Sequence, residues 1–286
     1  MTHSTWGDWF VREEIEAADP EGLSAWYLGC NGFALRTAET TVYVDPYFGT
    51  GRPPRLLRMS AVPMRAADAT RCDAVLVTHE HLDHMHPPSY EPLVEELGAD
   101  LYAPPAAYER PDCEVSTDGF EDRYHEVSSG DAVTVDDLTV HVGPADDPDS
   151  HGAVSYVVEH ESGTFFHGGD TRPTPAFADL GERFDVDAGV LAFGSVGRRY
   201  YPDAGETRAS HVYMDENQVV EVANALGVDR LLPTHHSMWK GLDGDPKVLH
   251  EHAASFAYPR SVEPIKLGDR VDLGTPGIRP LRTLDR

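Results

Sequence analysis

A mixed α/β fold is predicted by three features of this sequence. Two hairpin patterns each deliver an aspartate at their end, two apolar strand patterns each finish in histidine, and helical patterns follow strands in both halves. In the first half, residues 33–45 run through an apolar strand, a polar turn at residues 37–40 and a second strand that ends in Asp45. The apolar run 72–77 then leads through Thr78 into His79, and residues 88–97 form a short helical pattern stopped by Gly98. The second half repeats the plan with strands 154–158 and 164–167, after which two glycines lead to Asp170. Residues 230–235 again close a strand with histidine. Before them, residues 215–226 carry acids in the first turn, apolar side chains at 219, 222, 223 and 226, and Gly227 as a stop. The parallel between residues 24–145 and 146–275 predicts two sheets whose ends converge on one place.

The chain has 286 residues with 40% hydrophobic content, enough for a substantial core, and no Ser/Gly-rich linker divides it, so a single domain is expected over residues 1–286. No apolar stretch approaches the roughly 20 residues that cross a bilayer, and residues 1–10 lack a basic segment leading into an apolar one. The expectation is a cytoplasmic protein with no membrane partner. Its cysteines, Cys30, Cys72 and Cys113, stand at no metal-ligand spacing and are expected to be reduced. The 49 acidic residues outnumber 23 basic ones, for a formal charge of −26. A surface of that sign repels a nucleic-acid backbone, which argues against a nucleic-acid partner. Because the acids are spread along the chain rather than gathered in a tail, the imbalance reads as halophilic adaptation of a whole surface to high internal salt.

The densest chemistry lies in His79-Glu80-His81-Leu82-Asp83-His84, an H-x-H-x-D-H pattern at the expected strand end. Alternate side chains of a strand point the same way, so His79 and His81 can serve one metal, and a turn lets Asp83 and His84 face a second. Imidazole and carboxylate without thiolate suit Zn²⁺ first, with Mn²⁺ or Fe²⁺ as alternatives.

With these residues in hand, the chain resembles the metallo-β-lactamase fold family. The H-x-H-x-D-H segment, the strand-ending Asp45, the Gly168-Gly169-Asp170-Thr171 segment and the late Pro233-Thr234-His235 match its motifs in order, across residues 24–275. The resemblance implies a four-layer αββα sandwich with two metals at the sheet edge. Residues 26–29 with Gly32 and Phe33, residues 44–47 and 167–170, and residues 233–239 look like the branch that contains L-ascorbate-6-phosphate lactonases. The family usually places a histidine shortly before the second hairpin. Here Asp147 best occupies that position by offset, with His151 as the alternative.

The resulting site has His79, His81 and Asp147 or His151 on one divalent metal, Asp83, His84 and His235 on the other, and Asp170 bridging. Two cations lower the pKa of a shared water toward ~7 and supply hydroxide without a side-chain base, although Asp83 can also accept a proton. Asp45 is assigned to holding a ligand imidazole in one tautomer. His236 and His211 are candidate proton donors to a leaving group. Arg172, Arg198 and Arg199 are candidate contacts for an anionic substrate, because guanidinium forks match phosphate and carboxylate. The expected activity is hydrolysis of a small anionic ester or lactone, with a phosphodiesterase or nuclease of the same fold as the alternative and a non-catalytic metal-binding regulator as a third reading. A homo-oligomer is compatible with the sequence.

Overall fold

The computed structural model describes residues 6–53, 56–201 and 203–281; the first five of the N-terminal residues considered above lie outside that set. Alternation along the strands builds the architecture. In the strand Ser24–Gly29, Ala25 and Tyr27 face one way and join a core with Phe33, Leu35, Val42, Val44 and Leu76, while Trp26 and Leu28 face the other way. In the strand Gly163–His167, Phe165 points into the same central core and Phe166 points away. Side chains on both faces of each sheet are therefore apolar, and each sheet must be covered twice.

Among the described residues, eight strands form one sheet in the order Ile278–Arg279, Arg270–Asp272, Ser24–Gly29, Gly32–Arg36, Thr41–Val44, Ala74–Leu76, Asp100–Ala103 and Tyr124–Glu126. Seven form the other, ordered Ser261–Val262, Arg230–Thr234, Ala188–Ala192, Gly163–His167, Val154–His160, Leu138–Pro144 and Ala132–Val135. Helices Phe10–Glu16, Pro87–Glu95 and Pro105–Glu109 cover the outer face of the first sheet, and Ala176–Arg183, Glu216–Ala225 and Leu249–Ala253 cover that of the second. The result is the expected αββα sandwich.

Between the sheets, Phe33 from the first and Phe165 from the second meet edge to face at 5.6 Å, both fully buried. Truncation of Phe165 to alanine removes this contact and leaves a cavity, and is expected to cost about 3–5 kcal/mol, read as a lowered midpoint in denaturant unfolding.

The helix Glu216–Ala225 follows the sequence expectation to within a residue at each end. Asp215 accepts from Gln218 N–H at 2.9 Å while the Gln218 side chain accepts from Asp215 N–H at 3.1 Å, a reciprocal cap. All three cysteines are free thiols, and no described helix is long and apolar enough to cross a membrane. One element had no signal in the hydrophobic pattern. The antiparallel pair Val196–Tyr201 and Glu206–His211 belongs to neither large sheet, pairs further, among the described residues, only with Leu242–Asp243, and its residues are mostly exposed.

Parallel pairing decides where the chemistry can sit. Thr41–Val44, Ala74–Leu76 and Asp100–Ala103 run parallel in the first sheet, as do Gly163–His167, Ala188–Ala192 and Arg230–Thr234 in the second. Their C-terminal ends open on a common edge, the usual ligand-binding side of parallel strands.

Candidate metal centre

Four of the six parallel strands, Thr41–Val44, Ala74–Leu76, Gly163–His167 and Arg230–Thr234, hand the residues that follow them to the site. Asp45 follows Thr41–Val44 with φ 44°, and His235 follows Arg230–Thr234 with φ 66°. These left-handed residues turn the chain at once, so the side chain stays at the strand end instead of continuing along the sheet. His79 and His81 differ from the sequence expectation in how they are placed. The strand ends at Leu76, and both histidines lie in the turn beyond it. Strand alternation therefore does not align them; the turn does, with His84 N–H and Met85 N–H both donating to the His81 carbonyl at 2.9 and 2.8 Å.

Two groups of donors result. His79, His81 and Asp147 form one: His79 Nε2 is 2.9 Å from His81 Nδ1, and Asp147 Oδ2 is 3.5 Å and 3.6 Å from those two nitrogens. Asp83, His84, Asp170 and His235 form the other, with His235 Nε2 at 3.1 Å from Asp83 Oδ2. Asp170 lies between them: its Oδ2 is 3.3 Å from His84 Nε2 and 3.9 Å from His79 Nε2.

Behind these groups, the fully buried Asp45 accepts three hydrogen bonds, from Thr78 N–H at 2.8 Å, Thr78 Oγ1 at 2.7 Å and His84 Nδ1 at 2.7 Å. A carboxylate at Nδ1 keeps a proton on that nitrogen, so that the neutral ring offers Nε2 towards Asp170. Thr78 Oγ1, 2.9 Å from His79 Nδ1, does the same for His79, whose Nε2 is then free to bind.

The electrostatics are those of a site built around positive charge. Burial pulls the His84 imidazole down, but Asp45, Asp170 and Asp83 outweigh it and hold the ring above its ordinary value. Burial, with His84 and His81, holds His79 well below the usual histidine range. Burial and the charge of Asp170 push the Asp147 carboxyl up to about 6. Burial also works against ionised Asp170, yet His84 and His235 keep its carboxyl below the ordinary value. His84 Nε2 and Asp147 Oδ2 are buried without a hydrogen-bond partner among the described residues. Leaving such atoms unpaired is costly, and a divalent cation in each group would satisfy them. The donor set fits metal ions.

A cavity of about 390 Å³ opens over both groups, lined by His81, Asp83, Asp147, Asp170, Arg199, Tyr213 and Trp239 among others. Several expected contributors stand elsewhere. His151 is exposed and faces Arg110 at 3.2 Å, because its N–H is tied to Glu80 Oε1 at 2.6 Å; Asp147, not His151, joins His79 and His81. The Arg172 guanidinium donates to the Val212 carbonyl and pins a loop. Arg198 is exposed and donates to Thr207 O at 3.2 Å along its own hairpin. His211 is exposed at the end of that hairpin, and half-buried His236 contacts Ser237 Oγ at 2.9 Å; neither lines the cavity.

Arg52, which had no motif around it and whose guanidinium donates to the Asp112 carbonyl, does line the cavity, as Arg199 does. So does Tyr213, whose ring stacks on His235 at 4.3 Å between centroids and whose hydroxyl accepts from Trp239 Nε1 at 3.3 Å. Only tertiary packing brings these groups to the site.

Comparison with known proteins bears on the family and the fold. Residues 40–236 match the family model described as the beta-lactamase superfamily domain. The chain is 26% identical to proteins named probable L-ascorbate-6-phosphate lactonase UlaG from Escherichia fergusonii and Escherichia coli, across 87% of this chain and 79% of each relative. Among solved structures, the fold is similar to Igni18, a metallo hydrolase from Ignicoccus hospitalis, at TM-score 0.67 and 18% identity, covering 87% of this chain and 97% of that one. It is also similar to the metallo-β-lactamase fold protein YhfI from Bacillus subtilis, at TM-score 0.60 and 18% identity over 89% and 99% of the two chains.

Proposed function

Because the chain belongs to the beta-lactamase superfamily, as a metal-dependent hydrolase of the metallo-β-lactamase fold, we propose that it cleaves a small anionic ester or lactone at a binuclear metal centre. The observation that carries this reading is the pair of donor groups with Asp170 between them, beneath an open cavity. His79, His81 and Asp147 would hold one divalent cation, Asp83, His84 and His235 the other, and Asp170 would touch both. Zn²⁺ is the first choice for these ligands, and the carboxylate in the first group makes Mn²⁺ the alternative. Bound cations would acidify water to supply hydroxide near neutral pH and stabilise negative charge on the reacting oxygen.

The protein's own groups prepare that chemistry. Asp45 and Thr78 keep His84 and His79 in the tautomer that offers Nε2. Tyr213 stays protonated, because burial holds its hydroxyl well above its ordinary value, and that hydroxyl lies 3.3 Å from His235 Nε2 at the cavity wall. Leu56, Leu82, Val212 and Trp239 restrict water around the reacting bond. Arg199 supplies positive charge in a cavity with five aspartates in its lining, and Arg52, although its guanidinium also donates to the Asp112 carbonyl, adds to it, which favours a substrate carrying phosphate or carboxylate away from the bond that breaks. UlaG relatives are named for such a compound, a phosphorylated lactone.

The test is hydrolysis by metal-loaded protein across lactones, carboxylic esters and phosphodiesters, each offered in phosphorylated and neutral forms. Turnover of a phosphorylated lactone or ester above its neutral counterpart is expected. Exclusive turnover of phosphodiesters, or none on any member of the set, would overturn the proposal. Arg199→Ala is expected to raise KM for the anionic substrate by roughly tenfold or more with little change in kcat, since one charged hydrogen bond contributes about 1.5–3 kcal/mol.

A further inference from the structure

Asn31 sits in the tight turn between Ser24–Gly29 and Gly32–Arg36, in the half of the chain opposite to Asp170, and it is fully buried. The turn presses against the site: a Cβ on Gly32 would stand 2.9 Å from the Asp45 carbonyl oxygen, so only glycine lets Asn31 reach this far. Every polar group of Asn31 that faces the site is engaged. Its Nδ2 donates to Asp170 Oδ1 at 3.2 Å, its Oδ1 accepts from Thr234 Oγ1 at 2.6 Å, and its carbonyl accepts from His167 Nε2 at 2.7 Å. The amide orientation follows from its partners, because the reversed amide would set an oxygen against the Asp170 carboxylate.

We propose that Asn31 is a positioning residue that fixes the rotation of the Asp170 carboxylate, holding Oδ1 back so that Oδ2 faces His79 and His84 together. Asp170 follows Gly168 and Gly169 and has no helix or strand of its own to orient it. Asn31 is its hydrogen-bonding neighbour from the first sheet, and Thr234, the residue before His235, locks Asn31 in turn. The turn of one half thereby sets the shared ligand of the other half. Without that bond Oδ1 is left with its 3.6 Å approach to His235 Nε2, and the carboxylate can turn so that the same oxygen no longer faces both groups. The inference rests on the reading of Asp170 as the shared ligand.

The experiment is titration of metal-free protein with Co²⁺, read by visible absorption, for wild type, Asn31→Ala, Asp170→Asn and the double variant, with thermal unfolding as a control for folding. The expected result is that Asn31→Ala weakens one of two Co²⁺ equivalents by about 10–100-fold and alters its absorption, while adding it to Asp170→Asn has no further effect. Wild-type Co²⁺ binding by Asn31→Ala, or a loss that adds in full to that of Asp170→Asn, would overturn the inference while leaving the metal-centre reading intact. Wild-type binding by Asp170→Asn would overturn both. Should Asn31→Ala fail to fold, Thr234→Val removes the hydroxyl that locks the amide; a several-fold weakening of the same equivalent supports the inference, and unchanged binding refutes it.

Discussion

Asp170→Asn is expected to abolish the two-metal state, reducing metal content from about two per chain toward one and lowering turnover at least about a hundredfold. Its Oδ2 is within 3.3 Å of His84 Nε2 and 3.9 Å of His79 Nε2, so one carboxylate serves both donor groups. Asparagine keeps the volume but brings one oxygen instead of two and no charge, and the loss of a catalytic metal forfeits several kcal/mol of transition-state stabilisation. Elemental analysis and single-substrate kinetics on the same preparation check both parts. Full metal content with normal turnover would place the shared ligand elsewhere.

Asp45→Asn is expected to lower metal affinity and activity by about 10–100-fold and also to destabilise the fold. Asp45 is buried with all three of its hydrogen bonds directed inward, to Thr78 and His84. An amide must place its NH2 against one of those donors, and if it meets His84 the imidazole proton moves to Nε2, where it blocks metal binding. Breaking a buried charged pair costs about 3–5 kcal/mol, which denaturant unfolding of the metal-free protein would register. Asparagine tolerates the left-handed φ of 44° at this position, so the effect reports on charge and not on backbone strain. A variant as stable and as active as wild type would mean that Asp45 is only a turn former.

How much of this could be read from residues alone depended on how local the cause was. The aspartates and histidines at strand ends were visible because an apolar strand run followed by a polar ligand is a short-range pattern, and Asp45, His79, Asp170 and His235 do end or follow strands of the two sheets. The helix at 216–225 was visible through its periodicity and its Asp215 and Gln218 cap. Geometry within the turn was less accessible: His79 and His81 are brought together by the turn after Leu76 and not by strand alternation. The choice between Asp147 and His151 turned on a hydrogen bond from His151 N–H to Glu80, a residue 71 positions away. Arg52, Tyr213 and Asn31 carry no motif, because their role comes from where loops of different strands meet at the common edge. The arginines at 172 and 198 illustrate the converse. Proximity in sequence to Asp170 or Arg199 said nothing about direction, and both guanidiniums are spent on backbone carbonyls.

If both halves of the chain assemble two metal sites, its metal content will show it. Elemental analysis of chelator-free protein, purified in high salt, should find about two divalent ions per chain, with His81→Ala and His84→Ala each losing one and both losing hydrolysis. Protein that is folded but holds no stoichiometric metal, or that keeps its full complement in both variants, would contradict the account.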